Sequence, residues 1–250
     1  MEAHHPHHVT HKKKWAEYLL EFFMLFLAVT LGFFAESYRE YLGDREKEKQ
    51  YIESMVKDLQ RDTAFLKTGF LRKEERLNAI DSVFYFFELH HQPHEIPGYI
   101  AAVMKRTSWD RIYDRSSGTI NQLKNAGGMR LIKNKSVTDS IAAYDLLWER
   151  DVFWKQGYIS LQQINSSLTE KLFNPYDLIH IYRIAGSGAG TAALLHQLAS
   201  IRINTGSLDE FLNFLSRQKS WTLQDYQFYK RMNESAMRLI ALIKKEYHLQ

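Results

Sequence analysis

Residues Trp15 to Ala35 read WAEYLLEFFMLFLAVTLGFFA, an apolar run broken only by Glu17 and Glu21. A bilayer core of about 30 Å takes roughly 20 helical residues. The run suffices when Glu17 stands at headgroup level beside Trp15 and Tyr18, whose side chains favour that boundary. Glu21 is then the one acid properly inside, and the uninterrupted part, Phe22 to Ala35, is shorter. A cleaved signal sequence would place small residues at a processing site behind its apolar core. Here Gly32-Phe33-Phe34-Ala35 runs into Glu36-Ser37-Tyr38-Arg39, with bulky side chains where small ones are required. The run therefore reads as an uncleaved transmembrane anchor rather than a signal sequence or a buried soluble helix.

Beyond the run the pattern becomes periodic. Ile52, Leu59, Leu66, Ile80 and Phe87 recur at a spacing of seven, with Lys73 the one polar entry, and Val56, Phe70, Leu77 and Phe84 form a second column interrupted at Thr63. Two such columns make a stripe wide enough to pack against another helix. No proline interrupts Glu36 to His90, so the anchor is expected to continue as a long stalk, with a kink at Gly43 or Gly69 as an option. The stripe serves equally as the core face of an intrachain bundle or as an intermolecular coiled coil. His90-His91-Gln92-Pro93-His94-Glu95-Ile96-Pro97-Gly98 ends this helix, since two prolines and a glycine cannot continue it.

Shorter helices are predicted after that break. Thr119 is expected to cap a turn through Ile120 to Ala126, with Gly127 and Gly128 as left-handed residues that stop it. Ser136 with Asp139 starts a helix carrying Ile141, Tyr144, Leu147 and Trp148, and a further stretch from Ile159 to Phe173 stops before Asn174-Pro175. Ser207 and Glu210 have capping-box spacing ahead of Phe211. Thr222 opens a final helix to about Tyr247, with Tyr226, Tyr229, Asn233, Ala236, Ile240 and Ile243 on one face. The predicted fold is all-α: an N-terminal transmembrane helix continuing into a stalk helix, then a helical bundle. The corresponding divisions are a His/Lys-rich tail at 1–14, the span at 15–35, the stalk at 36–92 and a helical domain at 93–250.

Composition agrees with a folded helical chain: 45% apolar and 25% charged residues are ordinary for a globular domain. The net charge of +4 is small and its basic residues are interleaved with acids, which excludes a nucleic-acid face. The absence of cysteine removes disulfide and thiol chemistry and leaves the compartment open. Charge does bear on orientation. Lys12, Lys13 and Lys14 precede the run, whereas Arg39, Arg45, Lys47 and Lys49 behind it are mixed with Glu36, Glu40, Asp44, Glu46 and Glu48. The basic-loop bias predicts a cytoplasmic N-terminus, with everything after about residue 36 outside the cytoplasm.

Candidate chemistry is sparse. Glu21 is the leading site, because an ionisable group inside a span is costly, and Glu17 lies one turn away on the same face. A protonated Glu21 can hydrogen-bond across an oligomer seam. The tail residues His4, His5, His7, His8 and His11 can bind divalent metal weakly or, once protonated, be drawn to anionic lipid. A solvated tail is the plainer reading, since no carboxylates orient the imidazoles. His90, His91, His94 and Glu95 sit in a proline-rich connector that offers no second shell for a metal. The glycine-rich stretch from Gly186 to Thr191 precedes a helix, but Ala192-Ala193 stands where a phosphate loop needs Lys followed by Ser or Thr. An interhelical loop is expected there. No nucleophile elbow or paired-histidine zinc helix is present, so no enzyme activity, cofactor or structural metal is expected.

Two separated segments carry a family likeness. Tyr18 to Phe23 (YLLEFF), the Glu36–Arg39 exit, and Glu48 to Ile52 (EKQYI) with Asp58-Leu59 and Asp62-Thr63 form the first; Gly118 to Asn134 (GTINQLKNAGGMRLIKN) forms the second. They resemble an uncharacterised group of Bacteroidota membrane proteins, in which one N-terminal span leads a helical domain labelled only as a domain of unknown function. The likeness covers roughly residues 12–150 and is looser in the C-terminal helices. It implies an inner-membrane protein with a periplasmic helical domain, and it implies no activity.

Three functions are compatible with these features. The first is a membrane-anchored structural or interaction protein, partnered by lipid and by a second copy or another membrane protein. The second is a subunit of an ion-driven or channel complex in which Glu21 titrates. The third is a tethered periplasmic enzyme or ligand sensor with a pocket around Trp109, Tyr113 and Trp148.

Overall fold

Without a proline from Trp15 to Leu89, nothing forces the backbone out of its helical hydrogen-bond ladder, and all these residues form one helix, α1 (Trp15–Leu89). It runs through Gly43 and Gly69 without a break in helical assignment. The computed structural model describes residues 15–91, 93–107, 113–186 and 200–249. After α1 come β1 (Glu95–Ile96), α2 (Gly98–Thr107), α3 (Gly118–Asn125), a 3₁₀ turn (Gly128–Leu131), α4 (Lys135–Leu172), α5 (Pro175–Gly186), β2 (Ile201–Arg202), a second 3₁₀ turn (Thr205–Ser207) and α6 (Leu208–Glu246). The class is all-α. The two short strands pair antiparallel, Glu95 with Arg202 and Ile96 with Ile201, and Phe173 bridges to Ile203 beside them.

Contacts divide the chain into Met1–Gln50 and Tyr51–Gln250. In the first unit the described side chains from Trp15 onward are mostly exposed. The second unit holds two apolar clusters. One gathers Ile52, Leu59 and Leu66 of α1 with Ile141, Tyr144 and Trp148 of α4 and Met232, Leu239 and Ile243 of α6. The other gathers Ile80 and Phe87 of α1 with Met104 of α2, Leu172 of α4, Ile181 of α5 and Phe211 and Phe214 of α6. In this bundle α1 and α4 therefore run in the same direction and α6 returns. The expected stalk from 36 to 92 thus divides: from Ile52 onward its stripe is the core face of the intrachain bundle, because α4 and α6 cover it. Lys73 keeps its place in that register and is buried too. Its ammonium lies 2.9 Å from Asp225 Oδ2 and 5.4 Å from the centre of the Tyr229 ring.

Several predicted boundaries dissolve. The stretches starting at Ser136 and Ile159 are one helix, α4, and those starting at Ser207 and Thr222 are one helix, α6. Long-range packing carries each helix across the weak local stop signals. Asn134, two residues before Ser136, caps α4 by accepting from the Val137 N–H at 3.2 Å. Ser207 precedes α6 without a side-chain capping bond. Asn174 accepts from the N–H groups of Tyr176 and Asp177, and Pro175 opens α5 where its missing N–H costs nothing. Gly127 has φ +66° and ends α3 as expected, whereas Gly128 is not left-handed. A Cβ at Gly128 would meet Leu123 Cα at 3.2 Å and the Tyr51 ring at 3.3 Å, so its requirement is space.

Candidate functional site

The first turns of α1 present a long apolar surface. An 18-residue window reaches a mean hydropathy of 2.0 with none of it buried, long and apolar enough to cross a membrane. Trp15, Phe22, Phe33 and Phe34 are each more than half exposed. At about 100° per residue, Glu21, Ala28, Gly32 and Ala35 fall within roughly 60° of one another, and Glu17 falls at the edge of that arc. The phenylalanines lie on the opposite side, where Phe22 stacks on Phe26 with ring centres 6.2 Å apart. A Cβ on Gly32 would meet nothing within 4 Å. One side of the span is therefore small and acidic and the other bulky and aromatic.

Beyond the apolar run, Tyr38 and Tyr41 are exposed, a feature the sequence reading passed over. Tyr18 and Tyr38 are separated by about 30 Å of helix rise, the thickness of a bilayer core. Aromatic residues thus stand at both ends of that length, the arrangement expected of an interfacial belt. At the exit, Arg39 Nε donates to Glu36 at 3.0 Å. The histidines His4, His5, His7, His8 and His11 lie outside the described residues, as do Trp109 and residues 187–191 of the glycine-rich stretch; Gly186 ends α5.

Other residues singled out from sequence are engaged structurally. Glu95 accepts from Ser200 Oγ at 2.6 Å and Arg202 Nε at 3.2 Å. His90 stacks on Phe86, and its Nδ1 is 3.0 Å from the Phe86 carbonyl. Tyr113 and Trp148 are buried in the first cluster, Tyr113 edge-on to Tyr229 and Trp148 edge-on to Tyr144. Both belong to the buried core. An open cleft of about 360 Å³ lies elsewhere, lined by Phe87, His91, Leu208, Asp209 and Leu212.

The most developed polar arrangement of the second unit came from no motif. Asp58 and Asp62, one turn apart on α1, reach the start of α3 from outside it. Asp58 Oδ2 accepts from the Thr119 N–H at 3.1 Å, and Asp62 Oδ1 accepts from the Ser116 N–H at 2.7 Å. Thr119 is therefore a helical residue whose amide is capped by α1, and not the cap itself. Tyr144 donates to Asp62 Oδ2 at 2.8 Å. Burial pushes the Asp62 carboxyl up despite these bonds. The Tyr144 phenol is pushed up by burial and by the neighbouring carboxylate. Nearby, Asp145 accepts from Arg115 and, at 2.7 Å, from Lys124. Burial raises its carboxyl, but the two cations outweigh it and hold it low. Asp58 and Asp62 of α1 thus hold Thr119 and Ser116 at the start of α3, and Gly128 just beyond α3 lies against Tyr51 of the same helix α1. An acid pair at i, i+4 beside the apolar stripe was the available signal, and only the fold reveals what it caps.

Fold and surface together define an all-α bundle whose first helix begins with a stretch able to span a membrane. No family model, no curated protein and no solved structure matches the chain.

Proposed function

We propose that this chain is a membrane-anchored interaction protein that self-associates through its span. In this reading Trp15–Ala35 crosses the inner membrane with the N-terminus in the cytoplasm, and the helical bundle stands in the periplasm. The group of Bacteroidota membrane proteins that its segments resemble is part of the same proposal. The observation that carries it is the asymmetry of the span. Helices in lipid associate through small residues that let backbones approach, aided by polar side chains that hydrogen-bond across the seam. Ala28, Gly32 and Ala35 supply the first and Glu21 the second, on one face.

The absence of cysteine makes the test direct. Single cysteines at Ala28, Gly32 or Ala35 are expected to cross-link between copies in native membranes, and cysteines at Phe26 or Phe33 are not. Uniform cross-linking on all faces, or none on any, refutes the reading. Labelling of a cysteine at Asn213 by an impermeant thiol reagent in spheroplasts tests the orientation, with protection at that site as the contrary result. A second reading, motivated by the same acid, makes Glu21 a titrating group of an ion-driven or channel complex. It requires Glu21→Gln to abolish ion-dependent function while cross-linking persists.

A further inference from the structure

We infer that the second unit is built to open in two steps, its far half coming apart as a unit while the half nearer Tyr51 stays folded. The motive is a polar belt between the two apolar clusters. Along α1 no fully buried apolar side chain among the described residues lies between Leu66 and Ile80, about 21 Å of helix. The buried side chains there are Lys73 and Arg76, while Phe70, half-buried at the near edge, packs on the first cluster and stands edge-on to Tyr226 of α6. Along α6 the same gap runs from Leu215 to Tyr229, with Gln218 and Thr222 buried inside it. Lys73 pairs with Asp225 across the belt, and Gln218 Oε1 is buried without a hydrogen-bond partner. Among the described residues of α4 at this level is Gly157, whose added Cβ would lie 3.5 Å from the Trp221 ring; the side chains of 150–156 and 158 lie outside the described ones.

Apolar contact couples neighbouring layers of a bundle in proportion to area, whereas a buried ion pair returns little beyond its own desolvation. The belt therefore transmits less stabilisation between the clusters than either cluster holds within itself. The far half also depends on its cluster more completely. Its α2 and α5, of 10 and 12 residues, are too short to persist alone, and its ladder consists of two-residue strands. The three long helices run through both halves, and the one short helix of the near half, α3 with 8 residues, is tied to α1 by the Asp58 and Asp62 bonds. Cooperative units of this kind open separately in native proteins.

Hydrogen exchange read by mass spectrometry on the full chain in nanodiscs tests the inference. Amides of 100–106, 178–182 and 211–217 are expected to exchange together, at least tenfold faster than those of 55–66, 139–147 and 230–243. Phe211→Ala, which empties a fully buried position of the far cluster, is expected to speed the first group alone. Lys73→Met combined with Asp225→Leu replaces the ion pair of the belt by apolar contact and is expected to narrow the gap between the groups to within threefold. One common rate for both groups in the unaltered chain, or an equal effect of Phe211→Ala on both, overturns the inference. A gap unchanged in the folded double variant overturns the role assigned to the belt.

Discussion

Replacing Asp62 by alanine strips two donors at once. Its side chain is almost completely inaccessible, at 2% exposure, and its oxygens accept from the Ser116 N–H at 2.7 Å and the Tyr144 O–H at 2.8 Å. A hydrogen bond to a charged group contributes about 1.5–3 kcal/mol, and a buried donor left without a partner costs about 1–3 kcal/mol. Part of that loss is offset, because removing the carboxylate also removes the desolvation that pushes it up. The expected net loss is about 2–4 kcal/mol. Asp62→Asn separates hydrogen bonding from charge: its oxygen can accept from Ser116 and its amide can donate to the Tyr144 oxygen, so the expected change is under about 1 kcal/mol.

The pH dependence distinguishes the two variants further. The folded carboxyl titrates above the unfolded value of 3.8, so the native state holds the extra proton in the window between them. Stability from this group is full below the unfolded value and is lost as pH rises through the folded one. The unaltered chain should therefore gain on Asp62→Asn as pH falls through that window. Urea denaturation of the detergent-solubilised chain, followed by helical circular dichroism, measures all three. An Asp62→Ala chain within about 0.5 kcal/mol of the original, or an Asp62→Asn chain as damaged as Asp62→Ala, refutes the stabilising role given to the Asp62 hydrogen bonds.

Asp145 should behave with the opposite sign. Its carboxyl is held low between Lys124 and Arg115, so its contribution is present above the unfolded value and is lost as pH falls through the folded one; Asp145→Asn should flatten that limb of the acid titration. Gly43 and Gly69 make a matched pair on α1. A Cβ at Gly43 meets nothing, so Gly43→Ala is expected to gain up to about 1 kcal/mol of helix stability. A Cβ at Gly69 lies 3.2 Å from the Tyr113 ring, and Gly69→Ala should lose that gain to overpacking of about 1–3 kcal/mol. Gly128→Ala faces backbone at Leu123 as well as Tyr51, and thermal unfolding should register a loss of about 1–3 kcal/mol.

A stretch long and apolar enough to cross a membrane, and the helical class, were legible before any fold was known. Such a stretch is a property of consecutive residues and is read without any distant contact. Helical class follows likewise from period, proline scarcity and local stops, and the breaks at Pro93, Gly127 and Pro175 needed only local stereochemistry. What the stripe from Ile52 packs against was open, because two apolar columns look the same whether their partner is α4 and α6 or another chain. Tertiary packing decided that, fused the helices that weak caps appeared to separate, and buried Lys73 where Asp225 meets it. It also turned Asp58 and Asp62 into caps for a helix more than fifty residues away. Contacts across such distances depend on which faces the folded chain brings together, and that information is spread over the whole sequence rather than written at either end of the contact.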